Sequence, residues 1–343
     1  MHSKPLVTVI TPVYNTGEYL EEAIQSVLAQ TYDNWRYVIS DNHSTDDTAA
    51  IAARYAELDP RITIVRPPTF LAQVHHFNFA LEHLDGDSTY CKVLLADDKM
   101  LPACLAEMIE VAETSDHIGL VGSYRLIETE AAGFGIPLGV TDVPGRVAGR
   151  LHLIGRVYPF GTPSSVMYRA SEVRARNPTF YPVDRIYFDS DAAFEIVSGA
   201  DLGFVHQVLT FSRFQPDSIT HRERTLYSGE LDRVLCLAGY GERFLDADEL
   251  RRATAEARRS YYEKLGREWL LDRFRRRRTE LWDYHTGRLA TIGATVERRE
   301  LWKGAGRAIF RALGQPSEVV KRVVHRTPTV DDPWAGVSAG PRS

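Results

Sequence analysis

The stretch Val93-Leu94-Leu95-Ala96-Asp97-Asp98-Lys99-Met100 decides how this chain is read. An apolar run stops abruptly at two adjacent carboxylates. A strand buried on both faces reads as a near-continuous apolar run. Ligands of open α/β sheets gather outside the carboxyl ends of such strands. Two acids at that place repel each other unless a cation neutralises them. Mg²⁺ and Mn²⁺ suit the need, because they prefer oxygen ligands and bind one or two carboxylates together with substrate phosphates. An isolated Asp-Asp pair also reads as two solvated loop acids, so the residues upstream decide between the two.

Upstream, β-branched Val7-Thr8-Val9-Ile10-Thr11 predicts a buried first strand stopped by Pro12. Leu20, Ala23, Ile24, Val27 and Leu28 then fall on one helical face. Tyr37-Val38-Ile39-Ser40 predicts a second strand ending at Asp41, and Ser44-Thr45-Asp46-Asp47 offers helix-start chemistry. Ile62–Val65 gives a third strand, residues 72–84 a helix, Val93-Leu94-Leu95 a fourth strand, and Ile118–Gly122 a fifth after a helix following Pro102. This alternation predicts an α/β fold, a doubly wound, mainly parallel sheet flanked by helices. From about 128 to 185 the pattern loosens into Gly- and Pro-rich loops of the kind that serve as lids or binding loops.

Beyond residue 222 the chain reads as helical, with Arg273–Arg278 interleaved among Leu265, Trp269, Leu270, Leu271 and Trp282. Residues 331–343, rich in Pro, Gly and Ser, are expected to be disordered. Charge divides the chain the same way. Residues 1–221 hold 16 Lys and Arg against 28 Asp and Glu, whereas residues 222–343 hold 25 against 18. The division predicted is an α/β domain over 1–221, a basic helical extension over 222–330 and the tail over 331–343.

Composition, at 44% hydrophobic and 25% charged, is that of a globular protein able to bury a core without staples. Cys91, Cys104 and Cys236 have no metal-ligand spacing and form no disulfide framework, which points to a reducing, cytoplasmic compartment. No signal-peptide core follows Met1, and no apolar stretch approaches the ~20 residues that cross a bilayer. A pI near 6.1 and the lack of a recognised motif argue against nucleic acid as a partner.

Parallel strands share a direction, so the ends Thr11-Pro12-Val13-Tyr14-Asn15 and Ser40-Asp41-Asn42 belong on the sheet edge that carries Asp97-Asp98. That edge offers an aromatic, hydroxyls, amides and carboxylates, without the Gly-rich cradle of dinucleotide or P-loop sites. A nucleoside diphosphate there would need its phosphates neutralised by metal. Asp41 suits a base edge, and Tyr14 suits stacking on the base.

With these residues assembled, the chain resembles the inverting, nucleotide-sugar-dependent glycosyltransferases of family 2, which have the GT-A fold. Four segments carry the likeness: Val7–Asn15; Tyr19-Leu20 with Ala23–Tyr32; Ser40–Thr48; and Ala96-Asp97-Asp98, where Ala96 replaces the first acid of an Asp-x-Asp motif. The likeness implies that Thr11, Pro12, Tyr14, Asn15, Asp41, Asn78 and Asp97 contact the nucleotide. It further implies that Asp98 binds Mn²⁺ or Mg²⁺, with Asp97 beside it. Phe77 stands where many members have Arg, and Gln215 stands where many have a metal-binding His, leaving Gln215 as an oxygen ligand and His221 nearby as a substitute.

On the acceptor side, Gly161, Thr162 and Pro163 resemble the small-residue loop under the acceptor sugar. Phe188-Asp189-Ser190-Asp191 aligns with the segment carrying the catalytic base, with Asp189 as base and Asp191 as helix cap or acceptor contact. The expected partners are a nucleotide-sugar donor, UDP by default, and a glycan, lipid-linked or small-molecule acceptor. The basic helices are compatible with packing as a solvated bundle, with a peripheral place at the inner face of the membrane, and with a homo-oligomer. A nucleotidyltransferase fits less well, because Val13–Gly17 lacks a basic residue. A non-catalytic binding relative is the other alternative.

Overall fold

In a computed structural model, the described residues are 4–183, 185, 187–213, 225–272 and 278–314. Contacts divide them into two compact units, one up to residue 213 and one from residue 225. The predicted boundary at 221/222, Gln215, His221, Arg273–Arg277 and the 331–343 tail lie outside the described residues.

The first unit is built on one sheet. Its strands are β1 (Val7–Val13), β2 (Trp35–Asp41), β3 (Ile62–Val65), β4 (Tyr90–Val93), β5 (Lys99–Met100), β6 (Ile118–Ile127), β7 (Glu130–Ala132), β8 (Asp142–Val143), β9 (Val166–Arg169) and β10 (Asp201–Ser212). Their order is β3-β2-β1-β4-β9-β6-β10-β5, with β7 on β6 and β8 on β10. Parallel pairs join β3, β2, β1 and β4, and another joins β6 to β10. β9 is antiparallel to both β4 and β6, which aligns the two parallel groups. Six strands therefore run one way, while β9 and the short β5, β7 and β8 oppose them.

The helices are α1 (Gly17–Leu28), α2 (Thr48–Leu58), α3 (Gln73–Leu81), α4 (Cys104–Ala112), α5 (Gly145–Leu153), α6 (Ala170–Arg176) and α7 (Phe188–Val197). The predicted face of α1 is the buried one: Leu20, Ala23, Ile24 and Val27 join Val7, Val9, Tyr37 and Ile39 in the core.

Three sequence expectations are corrected. Pro12 does not stop β1. Ile10 O accepts from Leu94 N on the β4 side, and parallel alternation turns the Pro12 nitrogen to that side. β4 has ended there at Val93, so no ladder bond is lost. Second, the strand before the acid pair is Tyr90–Val93, and Leu94-Leu95 leads into the turn. Third, the stretch from 128 to 185 holds β7, β8, α5, β9 and α6, not only loops.

The second unit is helical, comprising α8 (Ser228–Phe244), α9 (Ala247–Leu271), α10 (Thr279–Ala290) and α11 (Arg298–Gly314). Asp246 caps α9 by accepting from Asp248 N and Glu249 N. α9 and α11 pack backbone to backbone at Gly304, where a Cβ would lie 1.8 Å from Tyr262 O. No described helix is long and apolar enough to cross a membrane.

Candidate active site

Direction fixes what meets at the carboxyl edge of the sheet. The exits of β1, β2, β4 and β10 arrive there because those strands are co-directional, and so does the entry into β9 because it runs the other way. Residues about 70 positions apart, Leu95 and Ser164, are thereby joined: Leu95 N donates to Ser164 Oγ at 3.0 Å.

The exits of β1 and β2 are laced together. Asn15, at φ +50, donates its N–H to Ser44 Oγ at 3.0 Å and accepts from Thr45 N at 2.8 Å. Thr16 N donates to Thr48 Oγ1 and Gly17 N to Asp46 Oδ2. Asp41 is buried, accepts from Ser44 N and is ion-paired with Arg66. Tyr14 is 46% exposed and meets Phe70 edge-on at 4.9 Å, so two aromatic rings stand open at this edge. Pro12 is buried in the strand.

Thr11 and Asn78 are both buried and hydrogen-bonded within the fold. Thr11 is fully buried and its hydroxyl accepts from Tyr37 OH at 2.9 Å. Asn78 is buried, and its amide brackets Tyr181: Nδ2 donates to Tyr181 O and Oδ1 accepts from Tyr181 N, both at 2.8 Å. Phe77, buried beside Asn78, packs edge-on against Tyr181 and against Phe188 at 5.6 Å. α3 therefore holds the segment that leads into α7.

The acid pair occupies the turn after β4. Asp98 is 4% exposed, and burial followed by the neighbouring Asp97 charge pushes its carboxyl up to about 7. The hydroxyls of Ser164 and Ser212 and the main-chain N–H of Arg213 oppose that shift by favouring the charged form. Burial also raises Asp97, against the pull of the Arg213 guanidinium. That guanidinium is paired with Glu22 at 2.7 Å, and Lys99 holds the other Glu22 oxygen at 2.8 Å.

Beneath the turn lies a residue that sequence reading missed. Lys92 on β4 is fully buried, and its ammonium donates to the carbonyls of Ser164 and, at 3.1 Å, Val166. Desolvation lowers its pKa, and Asp98 is among the charges that oppose this. Lys92 and Ser164 together fasten the 161–166 turn to the acid turn. Gly161 sits at φ +66, where a Cβ would fall 2.2 Å from Ser165 Oγ. Thr162 and Ser165 close a capping box around Pro163. A lysine inside an apolar run was the available signal for this tether.

Asp189 and Asp191 lie in the first turn of α7, behind Tyr187 as N-cap, so neither aspartate is the helix cap. Their surroundings differ. Asp191 is buried and faces Arg185, Nε to Oδ1 at 3.6 Å. Asp189 is partly exposed, and burial is the main reason its carboxyl is raised to about 6. The helix-start N–H groups and Arg125 act the other way, and the Asp191 charge adds to the rise.

An open, mainly parallel sheet flanked by helices, with paired acids and open aromatics at its carboxyl edge, is a fold of GT-A type. Residues 8–174, just under half of the chain, match the model of Glycosyl transferase family 2. EpsE of Bacillus subtilis (strain 168), named as a glycosyltransferase, is 33% identical over 51% of this chain and 60% of its own length. TuaG of the same organism, named as a teichuronic acid biosynthesis glycosyltransferase, is 38% identical over 31% of this chain and 42% of its own. The chain thus spans less than two thirds of the length of these relatives. Among solved structures, S. aureus TarS 1–349 has a similar fold, with TM-score 0.60 and 14% identity over 91% of this chain and 92% of that one. The mannosyltransferase PcManGT from Pyrobaculum calidifontis, solved with GDP-Man and Mn²⁺, has TM-score 0.54 and 20% identity over 92% and 82%.

Proposed function

We propose that this protein is an inverting, metal-dependent glycosyltransferase that moves a sugar from a nucleoside diphosphate to an acceptor hydroxyl. The observation that carries the reading is that one unit holds two raised carboxylates, Asp98 at about 7 in the turn after β4 and Asp189 at about 6 in the first turn of α7. Strongly perturbed carboxylates gather where charge is handled chemically. Their environments suit different tasks.

The acid turn fits a divalent cation. Its donors are hard carboxylate oxygens, and the cost of ionising buried Asp98 beside Asp97 is what a cation would offset. Among the described residues no three His, Cys, Asp or Glu side chains cluster to hold a metal. Asp98 and Asp97 would therefore hold Mn²⁺ or Mg²⁺, with diphosphate oxygens and water completing the shell. The ion would stabilise charge on the departing diphosphate as a Lewis acid. Gln215 remains the proposed additional ligand.

Tyr14, with Phe70, offers the base a stacking surface, while Asp41 with Arg66 offers it an acceptor beside a donor. UDP is the default carrier. Asn15 shapes the loop by its φ and its bonds to Ser44 and Thr45. Asp189 takes the proton of the acceptor hydroxyl as its oxygen attacks the anomeric carbon, opposite the leaving diphosphate. A base titrating near 6 is ionised at neutral pH yet still basic enough to accept that proton. Asp191, buried against Arg185, positions the start of α7. The turn through Gly161, Thr162 and Pro163 lies under the acceptor, which is a glycan, lipid-linked or small-molecule hydroxyl. The catalytic unit ends near residue 221, the helical extension follows, and the protein works in the cytoplasm. The test is metal-dependent cleavage of a nucleotide-sugar panel: release with Mn²⁺ that EDTA abolishes supports the reading, and full activity in EDTA removes the metal from it.

A further inference from the structure

α11 exposes a cationic ridge and large apolar side chains together. Arg299, Lys303, Arg307 and Arg311 follow one another at i, i+4 spacing, which stacks them into one ridge. Beside them Trp302, Ile309 and Phe310 are 55%, 49% and 80% exposed. The opposite face, with Leu301 and Ala305, is buried against α9. Over its length α11 has five Lys and Arg and one Glu. Arg259 and Glu263 of α9 join Lys303, Arg307, Phe310 and Arg311 around an open cavity of about 690 Å³. Surface ion pairs with Glu263 and Glu300 engage Arg311 and Lys303. They leave the ridge with a net positive charge, and Arg307 Nε is buried without a hydrogen-bond partner among the described residues.

We propose that α11 is a membrane-docking helix that binds the surface of an anionic bilayer. Its cationic ridge and the cavity take lipid phosphates, and Trp302, Ile309 and Phe310 enter the headgroup layer. Trp302 and Ile309 flank the cations and Phe310 lies among them, and exposed large apolar side chains beside cations are the pattern of a helix lying in an interface. Anionic lipid supplies the complementary charge. A second copy is the poorer occupant, because a twofold contact here would set one cationic ridge against another.

The proposal rests on α11 itself, whose Trp302 also meets Trp269 of α9 edge-on at 4.6 Å. Leu265 and Leu281, among the apolar residues flanking the Arg273–Arg278 stretch, are buried, and Trp282 Nε1 donates to Asp272 at 2.6 Å.

The full chain should co-sediment with vesicles of phosphatidylcholine and phosphatidylglycerol and not with phosphatidylcholine alone, and high salt should release it. The double change Lys303→Glu with Arg307→Glu, and separately Ile309→Ser with Phe310→Ser, should each lower vesicle binding about tenfold or more. Thermal melting should be close to that of the parent, since the altered side chains are at least partly exposed. Equal binding to both vesicle types, no binding to the anionic ones, or variants that change oligomeric state while binding vesicles like the parent would each overturn the proposal. Sugar transfer is not read in this assay, so its outcome is independent of the catalytic assignment.

Discussion

A carboxylate titrating near 7 is one whose charge the folded chain holds at a cost. Asp98 is buried beside Asp97, so its ionisation destabilises the metal-free protein as pH rises from the ordinary carboxylate range through about 7. Asp98→Asn removes that cost and should raise the metal-free melting temperature by a few degrees at neutral pH. The same change should abolish the extra stabilisation that a nucleoside diphosphate gives in the presence of Mn²⁺, read in one thermal-shift series. A lower melting temperature in the variant would contradict the electrostatic reading of the turn. Asp189 answers to rate instead. Its raised carboxyl must be ionised to act as base, so turnover should fall about tenfold per unit as pH drops below about 6. Asp189→Asn should cut kcat by roughly 10²–10⁴-fold with donor affinity nearly unchanged. If Asp191→Asn behaves that way instead, the roles are exchanged.

At the scale of elements, α3 carries a task that its sequence concealed. A lone Asn in His75-His76-Phe77-Asn78 reads as a ligand contact, yet its amide brackets the Tyr181 backbone and its neighbour Phe77 packs on Phe188. Asn78→Ala leaves two buried backbone groups without those partners and should cost about 1–3 kcal/mol of stability in denaturant unfolding. Because the bracket steadies the approach to α7, kcat should fall while donor affinity holds. Loss of donor affinity with kcat preserved would return Asn78 to the nucleotide. The limits of sequence reading lie here too. β1, β2, β3 and α1 were legible because apolar period and helix-start residues are local signals. β9 and β10 were not, because an antiparallel strand inserted between β4 and β6 is set by pairing over long separations. Within β10, His206 and Gln207 also break the apolar pattern.

For the whole molecule, the paired acids, the open aromatics and the raised Asp189 belong to one unit, and the cationic helix α11 belongs to the other. The sequence located the acid turn and the first-turn aspartates of α7. It did not reveal Lys92, Arg66 or the Ser164 tether, because each acts through a partner at least 25 residues away. The chemistry of the first unit is read by incubating the full chain with Mn²⁺ and a panel of nucleotide-sugars without acceptor, water standing in for the hydroxyl. Proton NMR then identifies the first-formed anomer of the released sugar. The account predicts slow release from one donor with inverted configuration, stopped by EDTA and by Asp189→Asn. Release with retained configuration, or release undiminished by either treatment, would contradict it.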